Sequence, residues 1–182
     1  TAIARAEAKS LTIDFGSVLT LNTSSDDSFS DLEISGDITI DGILIANGSE
    51  DRIQINGGWT RGSSGSFTPS TCKVDFGDSG GIDVINNGAS PFYQVTIESG
   101  DYQLGSGTYI NNDLVINLGA TLDASSSNYT LYVSGDFSNS GTFTAQQGTL
   151  NMTSSIAGAK TIDTGSSSLY NLTINSVSTA SY

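Results

Sequence analysis

The chain has 182 residues, with 19 acidic against 6 basic, no histidine and one cysteine, and a formal charge of −13. That length buries a full core without disulfide or metal staples. The charge excludes nucleic acid and anionic membrane surfaces as partners, because counterion release needs clustered lysine and arginine, and Arg5, Lys9, Arg52, Arg61, Lys73 and Lys160 are scattered.

Charged residues are only 14% of the chain, well below the roughly 25% of an average soluble domain. Serine, threonine, asparagine and glycine take their place, a profile that suits an extracellular or cell-surface structural protein. No apolar run reaches the roughly 18 residues that span a bilayer, so no membrane insertion is expected. No secretory leader is visible at Thr1, so the sequence is expected to be a processed form or a fragment.

From the N-terminus, "AIARAEAK" has high helix propensity but alternates. Ala2, Ala4, Ala6 and Ala8 fall on one side, and Ile3, Arg5, Glu7 and Lys9 on the other. A helix would have no apolar stripe beyond Ile3 and Ala6, so residues 1–10 are expected to form a strand-like arm or cap. "LTIDF" then places Leu11, Ile13 and Phe15 on one face, and "LEISGDITIDGILI" repeats the pattern with Leu32, Ile34, Ile38 and Ile40. "RIQING", "CKVDF", "YQVTI", "DLVINL", "TLYVSG", "GTFTA", "GTLNM" and "NLTI" follow. Period-two alternation sends one set of side chains inward and the other to water. Glycine and asparagine turns ("SGD", "NGG", "NNG", "NSG") separate the runs.

The chain also repeats itself. "GASPFYQVTI" (Gly88–Ile97) returns as "GSSSLYNLTI" (Gly165–Ile174), 165 − 88 = 77 residues later. In the same alignment Trp59 falls on Phe137, Phe67 on Phe143, Val74 on Leu150 and Phe76 on Met152. "LTIDFGSVLT" matches "LVINLGATLD", and "ISGDITIDGILI" matches "VSGDFSNSGTFT". A strand, a glycine turn and another strand recur in units of about 15 to 25 residues, within the range of solenoid coils. Drifting turn lengths fit stacked coils, because insertions go into turns and leave the ladder in register. The expected fold is therefore all-β: a right-handed parallel β-helix, or β-solenoid, of roughly 8 irregular coils. It occupies residues 11–182 as one domain with two related copies, about 11–99 and 100–177. Equivalent residues of the copies are expected to stack as rungs of one ladder. A β-sandwich with antiparallel strands is the alternative.

The phrases "SLTIDFGSVLTLN", "VSGDFSNSGTFTAQQGTLNM" and "SSLYNLTINS" resemble the right-handed parallel β-helix repeats of large bacterial and archaeal cell-surface proteins and of some phage fibre proteins. The likeness runs from about Ala8 to Ser176. It is a style of repeat, and what it implies is fold more than function. Pectate lyases share the β-helix, but they bring lysine or arginine beside clustered acids to a cleft, and no such constellation is present here.

Candidate chemistry is sparse. Without histidine there is no Ser-His-Asp or Cys-His arrangement and no histidine-based zinc site. Asp26, Asp27, Asp31, Glu33, Asp37 and Asp41 could in principle pair as glycosidase acids, but acids in turns ordinarily cap backbone groups. No enzymatic activity and no cofactor are expected. A structural calcium is the open alternative, with Asp26, Asp27 and Asp31 as its weak ligand candidates, since loop oxygens suit a hard cation. Trp59, Phe67, Phe76, Phe92, Phe137 and Phe143 read as core rungs, and Tyr93 and Tyr170 as outward or corner residues. Cys72 reads as a small half-buried strand residue, with pairing between chains as the sharper alternative. Sequons begin at Asn22, Asn47, Asn128, Asn151 and Asn171.

A solenoid has two ends with unpaired strand edges that template further pairing unless capped. The expected assembly residues are Ala2, Ile3, Ala4, Ala6 and Ala8 at one end. At the other they are Leu169, Tyr170, Leu172, Ile174 and Val177. These expectations combine into a structural subunit or segment of an extracellular filament, surface layer or adhesin, with further copies of itself as partner in a head-to-tail homopolymer. A carbohydrate- or receptor-binding fibre module, with a glycan as partner, is the alternative.

Overall fold

A strand of three or four residues offers only one or two inward side chains and few hydrogen bonds, so it gains stability from strands stacked on both sides of it. The computed structural model describes residues 6–21, 32–48, 51–77, 80–153 and 159–175. Among them the chain winds through short strands joined by turns, and no helix is present. The first coil is β1 (Ala6–Ala8), β2 (Leu11–Ile13) and β3 (Val18–Leu21). The second is β4 (Leu32–Ile34), β5 (Ile38–Ile40) and β6 (Ile43–Ala46), and the third β7 (Arg52–Ile55), β8 (Trp59–Arg61) and β9 (Ser66–Thr68). The fourth has β10 (Lys73–Phe76) and β11 (Ile82–Asn86). The fifth is β12 (Gln94–Ile97), β13 (Asp101–Leu104) and β14 (Thr108–Ile110), and the sixth β15 (Leu114–Ile116), β16 (Thr121–Asp123) and β17 (Thr130–Val133). The seventh is β18 (Phe137–Asn139), β19 (Thr142–Thr144) and β20 (Thr149–Met152). An eighth is begun by β21 (Ile162–Asp163) and β22 (Asn171–Ile174).

Every strand pairing is parallel, so the sandwich alternative falls and the chain is a parallel β-solenoid of about seven turns. One face carries eight strands, β1-β4-β7-β10-β12-β15-β18-β21, and the next carries seven, β2-β5-β8-β11-β13-β16-β19. The third face is split into β3-β6-β9 and β14-β17-β20-β22. On the first face Leu32, Ile53, Val74 and Val95 stack, each 21 residues after the last. The ladder then continues through Leu114, Phe137 and Ile162 at unequal spacings. The turns absorb the difference.

The interior is the sum of these inward columns. Leu32, Ile34, Ile38 and Ile40 are all buried, as their alternation requires. Where the third face breaks, in the fourth coil, a single bridge from Phe92 to Ile110 replaces a strand. Aromatic rings fill the interior at this level. Trp59 lies 4.9 Å from Phe67 and 5.2 Å from Phe92, and Phe76 lies 5.2 Å from Tyr102, all edge to face. That is the arrangement the ring quadrupoles favour. The two polar ring atoms are satisfied: Trp59 Nε1 donates to Asn87 Oδ1 at 2.9 Å, and the Tyr102 hydroxyl donates to the Gly77 carbonyl. All six expected core aromatics are buried. Cys72 is fully buried in the turn before β10, deeper than the half-buried strand position expected, and its Sγ donates to the Lys73 carbonyl. That placement keeps the sulfur away from a partner chain.

Two expectations need correction. Phe15 does not continue the inward face of Leu11 and Ile13; it is 79% exposed in a turn closed by the Ser17 amide on the Asp14 carbonyl. Gly16, at φ +81°, supplies the positive φ that the third residue of such a turn needs. The repeat copies, moreover, do not stack as rungs of one ladder. Trp59 opens β8 on the second face, whereas Phe137 opens β18 on the first. Phe67 moves from the third face to the second, and Val74 and Val95 on the first correspond to Leu150 and Leu172 on the third.

Each of these echoes is displaced by one face in the same sense. The next echo follows suit: "LTIDFGSVLT" crosses from second face to third, and its match "LVINLGATLD" from first to second. What repeats is a corner of two coils. Gly42 packs over the Asp14–Ser17 turn, where a Cβ would lie 2.4 Å from the carbonyl oxygens of both Asp14 and Ser17. Gly141 packs over the Asn117–Ala120 turn, where a Cβ would lie 2.3 and 2.4 Å from the corresponding oxygens. The exposed Phe15 and Leu118 hold equivalent places in the two turns, and Gly16 and Gly119 both have positive φ. All three faces demand the same inward–outward alternation, so the module fits any corner.

Candidate functional site

The two groups of expected assembly residues lie at opposite ends of the solenoid. Ala6 and Ala8 sit on β1, paired with Leu32 and Ile34. The "AIARAEAK" segment is thus a strand where it is described. Ala2, Ile3 and Ala4 lie outside the described residues, as does Val177. At the far end Leu169 and Tyr170 lead into β22, which pairs with β20 so that Leu150 faces Leu172 and Met152 faces Ile174. Leu172 and Ile174 occupy core positions by register, yet they are 47% and 59% exposed, and Tyr170 is 61% exposed.

Each terminal strand has a hydrogen-bonded neighbour on one side only, among the described residues. These are β1, β2 and β3 at one end, and β21, β19 and β22 at the other. The terminal strands of the third face also match in pattern. β3 reads Val-Leu-Thr-Leu and β22 reads Asn-Leu-Thr-Ile, each with inward residues at its second and fourth positions. Leu19, the second residue of β3, is partly exposed and packs against the core rim.

The acids have structural partners. Asp37 Oδ1 accepts the Gly58 amide at 2.8 Å, in the coil above. Asp113 Oδ1 accepts the Asp136 amide, and Asp136 Oδ1 accepts the Thr161 amide, both at 2.8 Å. Such capping ties successive turns together. Glu33 lies on the outer side of the first face, in register with Glu7 and Gln54. Asp41 sits at the turn before Gly42, with its Oδ1 against Gly62. Asp26, Asp27 and Asp31 lie outside the described residues. Among the described residues no group of three or more acids or cysteines could hold a metal ion.

Two further clusters were not legible in the sequence. On the outside of the first face, Arg52 donates to the buried Asp75 and, at 3.0 Å, to Glu98, which also accepts from Gln54. Burial works against the Arg52 charge. The hydrogen bond to Asp75 and the fields of Asp75 and Glu98 outweigh it and raise the guanidinium pKa. Arg61 follows Ile40 in an inward column, and its guanidinium turns to the corner. There it donates to the Asn87 carbonyl at 2.6 Å and to those of Gly62 and Gly65 at 2.9 and 2.7 Å.

The third missed feature is aromatic. Tyr109 and Tyr132 are the outward residues of β14 and β17, directly paired. Their rings stack at 4.3 Å with planes 3° apart, on the outer side of the third face. The available signal was the outward tyrosine in "TYI" and "LYV", one coil apart.

No family model matches the chain, and neither the curated proteins nor the solved structures give a match. The class therefore rests on geometry: a parallel β-solenoid whose terminal strands have no further strand paired to them among the described residues.

Proposed function

We propose that this chain is a non-enzymatic structural segment of an extracellular filament, surface layer or adhesin, and that copies of it stack end to end as one continuing solenoid. The observation that carries this reading is the exposure of Leu172 and Ile174 in core register on β22. An aliphatic pair at 47% and 59% exposure, beside a backbone edge with no further strand among the described residues, is a template for another strand. The matching pattern of β3 supports a second copy as that strand, with Leu19 placed over Leu172 and Leu21 over Ile174. Terminal strands of the third face at both ends, β3 and β22, support a contact that is heterologous and propagates as a fibre.

The test is sedimentation and electron microscopy of the purified chain over a range of concentrations, beside Leu172→Asp. Concentration-dependent polymers with a solenoid axis, lost in the variant while its circular dichroism is kept, support the reading. A chain that stays monomeric at every concentration, or a variant that polymerises as well as the parent, overturns it.

A further inference from the structure

We propose that Tyr109 and Tyr132 form a site of oxidative cross-linking, coupled as dityrosine by hydrogen peroxide and a haem peroxidase. The inference is independent of end-to-end stacking. Register brings the two residues together, because Tyr109 pairs directly with Tyr132 across adjacent parallel strands. Here the ladder imposes parallel planes 3° apart at a centroid distance of 4.3 Å, less than the strand spacing of about 4.8 Å. The rings therefore lean toward each other. Both rings leave equivalent positions of paired strands on the same outward side, so the two phenols are held side by side for coupling. Tyr109 is 40% exposed, which leaves its hydroxyl open to an oxidant.

The chemistry balances. The peroxidase takes one electron and one proton from each phenol, and the peroxide is reduced to two waters. The two phenoxyl radicals join in a carbon–carbon bond between ortho positions. Each ring then regains aromaticity by moving its ortho hydrogen to oxygen, for a net loss of two hydrogen atoms. The bond would stitch β14 to β17. β14 is the edge strand beside the break in the third face, held on its other side only by the Phe92–Ile110 bridge. A cross-link there would lock the fifth and sixth coils against shear.

The experiment treats the full chain, dilute enough to be monomeric, with horseradish peroxidase and hydrogen peroxide. It reads dityrosine emission and the mass of the monomer. Cleavage at aspartate separates the two tyrosines at Asp113 and Asp123, so a cross-link shows as two joined peptides. The expected result is a monomer lighter by two hydrogens, with the Tyr109 and Tyr132 peptides joined. Emission should be lost in both Tyr109→Phe and Tyr132→Phe, which keep a ring in place. A monomer of unchanged mass overturns the proposal. So does emission that survives in either variant, or coupling found only between chains.

Discussion

β20 and β22 are neighbours in one ladder, paired residue for residue, and each carries two aliphatic or thioether side chains facing inward. On β20, Leu150 and Met152 are 1% and 4% exposed; on β22, Leu172 and Ile174 are 47% and 59% exposed. The strands differ in what lies above them. In a solenoid a strand's pattern decides only which side chains point inward. The next winding decides whether they are buried, so stability accumulates interface by interface.

The largest effect should come from breaking the covered member of that pair. Leu150→Ala is expected to lower the unfolding free energy by about 2–5 kcal/mol in urea titration, the usual cost of a core leucine. The corner modules come next. Gly42→Ala and Gly141→Ala each push a methyl onto two carbonyl oxygens, which should cost about 1–3 kcal/mol by the overpacking rule, read as a lower urea midpoint. Similar losses from both would show that the two corners are one device on different faces.

Leu172→Ala sharpens the comparison from the uncovered side. In dilute solution it should cost under about 1 kcal/mol, because nearly half of its surface already meets water. A cost rising toward that of Leu150→Ala as protein concentration increases would mean that a second copy has covered it.

The smallest effect is alkaline. The hydrogen bond from Tyr132, then the repulsion of a neighbouring phenolate, holds the Tyr109 phenol above its ordinary value. The neutral form is thus favoured by folding. Its contribution is fully present below about pH 10, the unperturbed tyrosine value, and is lost as pH rises through the higher folded value. Melting curves across that range should fall less steeply in Tyr109→Phe. The difference should be small, since an exposed pair is weakened by solvent.

Much of the core was legible. Leu32, Ile34, Ile38, Ile40 and the six aromatics follow from alternation and repetition alone. Phe15 misled because period two was carried past Ile13 into the Asp14–Ser17 turn, which Gly16 completes with its positive φ. Arg61 follows Ile40 in an inward column and has no apolar signature; only the corner carbonyls of Gly62, Gly65 and Asn87 explain it. Ala6, Ala8, Leu169, Tyr170, Leu172 and Ile174 lie in the first and last described coils, where their order in the chain puts them.

The alternation of apolar and polar residues, with glycine and asparagine at the turns, was enough to determine short strands, an inward side and a coil of about twenty residues. These are local properties, set by side-chain direction and backbone sterics. Only the tertiary structure decided which face each strand occupies, and hence that the doubled wording is offset by one face. It also decided that Tyr109 meets Tyr132 ring to ring. Three faces with equal demands accept the same strand–turn–strand unit, so the choice among them depends on the summed lengths of all the turns before it, which no short stretch of sequence contains.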